Sequence, residues 1–259
     1  MIKQQKEAFP VYTGRIWFVG VDNRLAGLIG SNPAGGKVSI PILAVIGTGN
    51  RQGKITTQMT IKRHLENEGY RVAHISTEPQ GALLDADFVF PFGYKSTVRL
   101  PLERWGNFIH QCIKGIQEYR QPDVLVTGIQ GGLLPRGTQF LNTDTTHCLA
   151  SMHYLLAVKP DAIICTISPD DDPAMIRETV GVAKTYVTCD PLFYALTPVY
   201  REFRQNQSGG VVVYNRKISP VEMGERLKIF ERELGVPVID ISDEANSKFI
   251  INSIQTKFS

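Results

Sequence analysis

From Pro41 onward, short apolar runs alternate with longer stretches in which apolar residues recur every three or four positions. The runs at 42–46, 71–76, 124–127, 162–168, 210–214 and 237–241 read as strands. The stretches at 56–68, 102–119, 146–157, 173–183, 191–205 and 221–234 read as helices. Several strands are apolar at nearly every position instead of every second one, the pattern of strands covered by helices on both faces. The expected fold class is therefore α/β, with a doubly wound, mostly parallel sheet. Ser219-Pro220-Val221-Glu222 adds a helix start, with a serine cap, proline in the first turn and Glu222 three residues after the cap.

Residues 1–40 break the alternation. Their pattern reads as a β-hairpin, 15–21 and 25–30 joined at Asp22-Asn23-Arg24, followed by the turn-rich Ser31-Asn32-Pro33-Ala34-Gly35-Gly36. They are expected to be an appendage to one domain spanning 41–259.

Charge narrows the function little. The 28 Lys and Arg against 25 Asp and Glu give +3 without a basic run, so no nucleic-acid partner is expected. Cys112, Cys148, Cys165 and Cys189 are widely spaced and read as reduced, mostly buried thiols. No apolar stretch suits a signal peptide or a membrane helix, from which a cytoplasmic location and no membrane partner are expected.

The strongest chemical signal is the run from Ile42 to Thr57, an apolar strand, a glycine-bearing loop and a helix start. Glycines allow loop N–H groups to turn inward, the helix N-terminus contributes partial positive charge, and Lys54 supplies an ammonium. Phosphate binding is expected from Gly49, Asn50, Arg51, Gln52, Gly53, Lys54, Ile55, Thr56 and Thr57. Two positions depart from G-x-x-x-x-G-K-[ST]: Thr48 replaces the first glycine, and Ile55 stands where a metal-binding hydroxyl belongs. Thr56 or Thr57 is the candidate replacement.

Gly47-Thr48-Gly49-Asn50-Arg51-Gln52-Gly53-Lys54 resembles the G-T-D-x-x-x-G-K loop of dethiobiotin-synthetase-like P-loop proteins. The resemblance extends through Asp123-Val124-Leu125-Val126-Thr127-Gly128-Ile129-Gln130-Gly131-Gly132, similar to their V-E-G-x-G segment, and Lys159-Pro160-Asp161-Ala162-Ile163-Ile164. It continues into Val211-Val212-Val213-Tyr214-Asn215, similar to the strand whose asparagine reads adenine. Within that superfamily, the sequence is most similar to the P-loop family that includes D-glutamate N-acetyltransferases and peptide maturation system proteins. Thr77-Glu78-Pro79 and Gly93-Tyr94-Lys95-Ser96-Thr97-Val98 match segments of the latter.

The resemblance implies ATP as ligand, Asn215 at the base, and a peptide or small-molecule substrate. Thr127 replaces the acid of V-E-G-x-G, so any Mg²⁺ is expected to be weakly held. Acetyl-CoA as donor in N-acyl transfer and a non-catalytic nucleotide-dependent subunit are the alternatives, and a homodimer is compatible with each.

Glu78 follows the second strand, at the edge where open α/β sheets place ligands, and is the candidate to replace the missing acid in metal binding and catalysis beside Lys54. Gln130, Gly131, Tyr94, Ser96 and Thr97 are candidate substrate contacts, with Arg136 and Thr138 further along. Asp85 and Asp87 lie beyond Glu78. Asp170, Asp171 and Asp172 read as a solvated helix-capping turn, with Asp172 before Pro173 as the helix start. His147 and His153 have no sequence partner that suggests zinc or a catalytic triad.

Overall fold

The computed structural model describes residues 37–92, 96, 98–135, 145–205, 207 and 211–259. The expected hairpin of residues 1–40 lies outside them up to residue 36, as do Tyr94, Thr97, Arg136 and Thr138.

Seven described strands form one sheet in the order β3-β2-β4-β1-β5-β6-β9, and every neighbouring pair is parallel. The central strands are β1 (Ile42–Gly47), β2 (Val72–Ser76), β4 (Val124–Gly128) and β5 (Ala162–Ile167), all buried along their length. The remaining ones are β3 (Phe88–Val89), β6 (Tyr194–Leu196) and β9 (Val238–Asp240).

Alternate strand residues feed two cores. Leu43, Val45, Val126 and Ile164 meet α1 (Lys54–Asn67) and α6 (Ser247–Phe258) on one face, through Ile61, Leu65, Ile250 and Ile254. On the other face, Ala44, Ile46, Leu125 and Cys165 meet α2 (Trp105–Arg120), α3 (Thr145–Val158), α4 (Pro173–Ala183) and α5 (Pro220–Leu234). Ser219 and Glu222 close the expected capping box on α5.

Two expectations are corrected. Residues 191–205 are not a helix: they contain β6 and then β7 (Val199–Gln205). Pro191 and Pro198 interrupt helical hydrogen bonding, and β-branched and aromatic residues favour extended chain. The expected strand at 210–214 is β8 (Val211–Lys217), which pairs antiparallel with β7 in a separate ribbon and not with the main sheet. The C-terminal helix α6 and the short β3 had no counterpart in the sequence reading.

Candidate phosphate site

The chain leaves β1, turns through residues 48–53 and enters α1 at Lys54. β1 lies between β4 and β5, with β2 and β3 beyond β4 and β6 and β9 beyond β5. The loop therefore lies at the carboxyl edge of the sheet, where the strand order reverses and such folds place their ligands. A Cβ on Gly47 would stand 2.5 Å from Thr166 Oγ1, so β5 approaches this closely only because no side chain intervenes. Gly53 has φ 70°, a conformation that glycine adopts without strain.

Gln52 is wholly buried beneath this turn. Its Oε1 accepts from the Gly49 N–H at 2.6 Å, while Nε2 donates to Asp171 Oδ2 at 2.8 Å and to Thr48 Oγ1. Thr48 Oγ1 donates to the same Asp171 oxygen at 2.5 Å, and the Ser168 N–H adds a bond of 2.8 Å. Lys54 is buried and its Nζ donates to Gly49 O at 2.6 Å, which draws the ammonium across the loop. No side chain caps α1, and its leading amides with their partial positive charge suit an anion. Burial pushes the Cys165 thiol up, with Asp171 adding to the shift and Lys54 opposing it.

Helical phase separates the two threonine candidates. Thr56 is exposed, whereas Thr57 is buried with an Oγ1 that has no hydrogen-bond partner. Ile55 contributes no oxygen. Thr127 Oγ1 donates to Ile75 O at 2.8 Å and lies 2.7 Å from Tyr154 Oη, so the phenol must donate to it.

At the ends of β2 and β4, Thr77 Oγ1 donates to Gly128 O at 2.8 Å, and Gln130 Nε2 donates to Thr77 O at 2.6 Å. Glu78 follows, half-buried, and its carboxylate accepts from Gln80 Nε2. Gln130 and Glu78 are thus brought to one edge through Thr77. Gly131 is buried beside Gln130, with φ 65°.

Ser96 closes a local turn, donating to Pro91 O and accepting from the Val98 N–H, each at 3.1 Å. Asp87 accepts from the His74 N–H and pairs with Arg120. His153 packs edge-on against Trp105, and the side chain of His147 lies outside the described residues. Asn215 is exposed within β8, opposite Arg201, and does not end a strand of the main sheet.

The residue that sequence reading missed is Asp171. The three adjacent aspartates were read as one solvated turn, and only Asp172 caps α4, accepting from the Ala174 N–H at 2.9 Å. Asp171 turns inward to the loop.

A magnesium ion at such a loop takes one or two protein oxygens and completes its octahedron with phosphate and water. The unpartnered Oγ1 of Thr57 suits that role, while the carboxylate side is less well provided. Thr127 is occupied within the core, Asp171 is held by the loop and Glu78 by Gln80. Among the described residues, no group of three metal-capable His, Cys, Asp or Glu side chains converges.

The model of the "Domain of unknown function (DUF1611_C) P-loop domain" matches residues 29–250. A DUF1611 family protein from Anabaena variabilis has a similar structure, with TM-score 0.55 and 15% identity over 93% of this chain and 62% of its own. This chain thus spans less than two thirds of that protein. An ADP complex of a nucleotide-binding protein from Archaeoglobus fulgidus aligns at TM-score 0.43 and 12% identity, covering 82% of this chain and 86% of the other. A ParA family ATPase from Chlorobium tepidum aligns at TM-score 0.42 and 11% identity, covering 85% and 91%. No curated protein matches the chain. The match over most of the sequence and the P-loop fold agree: this chain belongs to the DUF1611 P-loop domain family.

Proposed function

We propose that the protein binds ATP, with the phosphate chain at residues 49–54 and Lys54 as the principal cation. The observation that carries this reading is the buried Lys54 at the uncapped start of α1, its ammonium held over a glycine-bearing loop at the strand-order reversal. Lys54 and the loop amides would stabilise negative charge by fixed electrostatics. Asn215, on the ribbon that follows β6, is the proposed contact to adenine. Glu78, Gln130 and Gly131 would face a peptide or small-molecule substrate at the neighbouring strand ends.

A second reading keeps the site and changes the ligand. Thr127 stands where the resemblance expects a metal-side acid, and its hydroxyl is committed to Tyr154 and Ile75, which favours a ligand whose chemistry needs no metal. Acetyl-CoA offers a pyrophosphate to the same loop and an acyl group for transfer to an amine.

Calorimetric titration with ATP and Mg²⁺, ATP and EDTA, and acetyl-CoA separates the readings. ATP is expected to bind in EDTA within a few-fold of its affinity with Mg²⁺, with slow hydrolysis. Binding of acetyl-CoA with no binding of ATP would replace the first reading by the second. Failure of all three ligands to bind would remove both.

A further inference from the structure

Asp171 is a buried carboxylate in the turn between β5 and α4, at 6% exposure. Its Oδ2 accepts from Thr48 Oγ1, Gln52 Nε2 and the Ser168 N–H. Two of these donors belong to the phosphate loop, and Gln52 passes the connection to the loop backbone by accepting from the Gly49 N–H. A buried charge is costly unless hydrogen bonds satisfy it, and hydrogen bonds to an ionised acceptor are the strong ones. Gln52 is equally committed, since its amide oxygen and nitrogen are both engaged at a fully buried position.

We propose that Asp171 is a positioning residue for the phosphate loop: acting through Gln52 and Thr48, it fixes the loop in its phosphate-receiving shape and ties that shape to the start of α4. The effect on ligand rests on the phosphate-binding reading, whereas the strut itself is a property of the ligand-free protein. The Asp171 hydrogen bonds to Thr48 and Gln52 reach a ligand through the loop. The single carboxylate serves both arms of the strut, so a neutral amide of the same shape weakens both. Thr48 supplies one of those arms, so removing its hydroxyl and neutralising Asp171 act on the same connection.

The test compares wild type with Asp171→Asn, Thr48→Val and the double variant Asp171→Asn/Thr48→Val, by amide hydrogen exchange and by titration with inorganic triphosphate. Loss of a hydrogen bond to a charged group corresponds to roughly a tenfold effect. Asp171→Asn is therefore expected to speed exchange at residues 49–53 about tenfold, with β1 and β4 unchanged, and to weaken triphosphate binding by a similar factor. Because both substitutions act on one connection, the double variant is expected to lie within about threefold of the larger single effect, well short of the product of the two. Unchanged loop exchange in Asp171→Asn, or effects of the two substitutions that multiply in the double variant, would overturn the strut. Should wild type fail to bind triphosphate, the phosphate-binding reading falls and the exchange data still decide the strut. Should Asp171→Asn not fold, Thr48→Val removes one arm at nearly constant volume. Faster loop exchange there supports the proposal, and unchanged exchange overturns it.

Discussion

The Thr127 hydroxyl donates to Ile75 O and receives the Tyr154 phenol, at a position fully closed to solvent. A glutamate here would not rebuild a metal site. It would bury a carboxylate against Tyr154, beside Phe90 and Phe92, where one phenol hydrogen bond leaves most of its lost hydration uncompensated. Thr127→Val keeps the shape and removes one hydroxyl, leaving the Tyr154 phenol and Ile75 O with one partner fewer. It is expected to lower stability by about 1–3 kcal/mol, the cost of an unsatisfied buried polar group, as read from denaturant midpoints.

At this scale the positions of Gly53 and Lys54, a turn glycine and the first residue of α1 after an apolar strand, were legible from their order in the sequence. Asp171 was not. Pro173 marks Asp172 as the helix start, as the structure has it, but leaves Asp170 and Asp171 equivalent, and only the turn after β5 sends Asp171 inward. Thr56 and Thr57 were equally undivided until the phase of α1 placed one in solvent and the other against the sheet.

Among the elements, α1 and β2 are joined by a polar contact inside an apolar layer. His74 Nε2 lies 3.0 Å from Gln58 Oε1, and Gln58 Nε2 donates to Lys54 O at 3.2 Å, which makes the histidine the N–H donor. Burial, reinforced by the nearby Lys62 charge, lowers the His74 pKa from 6.5 to about 4. The folded protein therefore resists a proton that the unfolded chain accepts. The contribution of neutral His74 is fully present above pH 6.5 and is lost as pH falls toward 4. Between pH 7 and pH 5 that loss amounts to about 2 kcal/mol. His74→Gln is expected to lose less stability than wild type over this interval, in denaturant titrations at the two pH values. Parallel losses in the two proteins would show that His74 does not titrate in this way.

Legibility of the elements followed their length and uniformity. β1, β2, β4 and β5 announced themselves as continuous apolar runs because both faces of each are covered. β6 has three residues and β7 follows two residues later, so apolar positions from two differently directed strands fell into a false helical spacing. The adenine-contact reading of Asn215 assumed a strand of the main sheet, and pairing of β7 with β8 moved it onto the ribbon.

For the whole molecule, the fold class was legible from the alternation of strands and helices, while the strand order was not. Only pairing of β4 between β1 and β2, and of β5 on the other side of β1, creates the reversal that places the loop at a ligand-binding edge. The central claim is that this edge captures a phosphate-bearing ligand through Lys54. It is tested most directly by the melting temperature of wild type and Lys54→Ala with and without ATP. A ligand at one hundred times its dissociation constant stabilises by about 2.7 kcal/mol. For a chain of this size that corresponds to a rise of roughly 5–10 °C. Wild type is expected to show this rise and Lys54→Ala to lose most of it while keeping its ligand-free melting temperature within a few degrees. An equal rise in both proteins, or none in wild type with any phosphate-bearing ligand at millimolar concentration, would contradict the account.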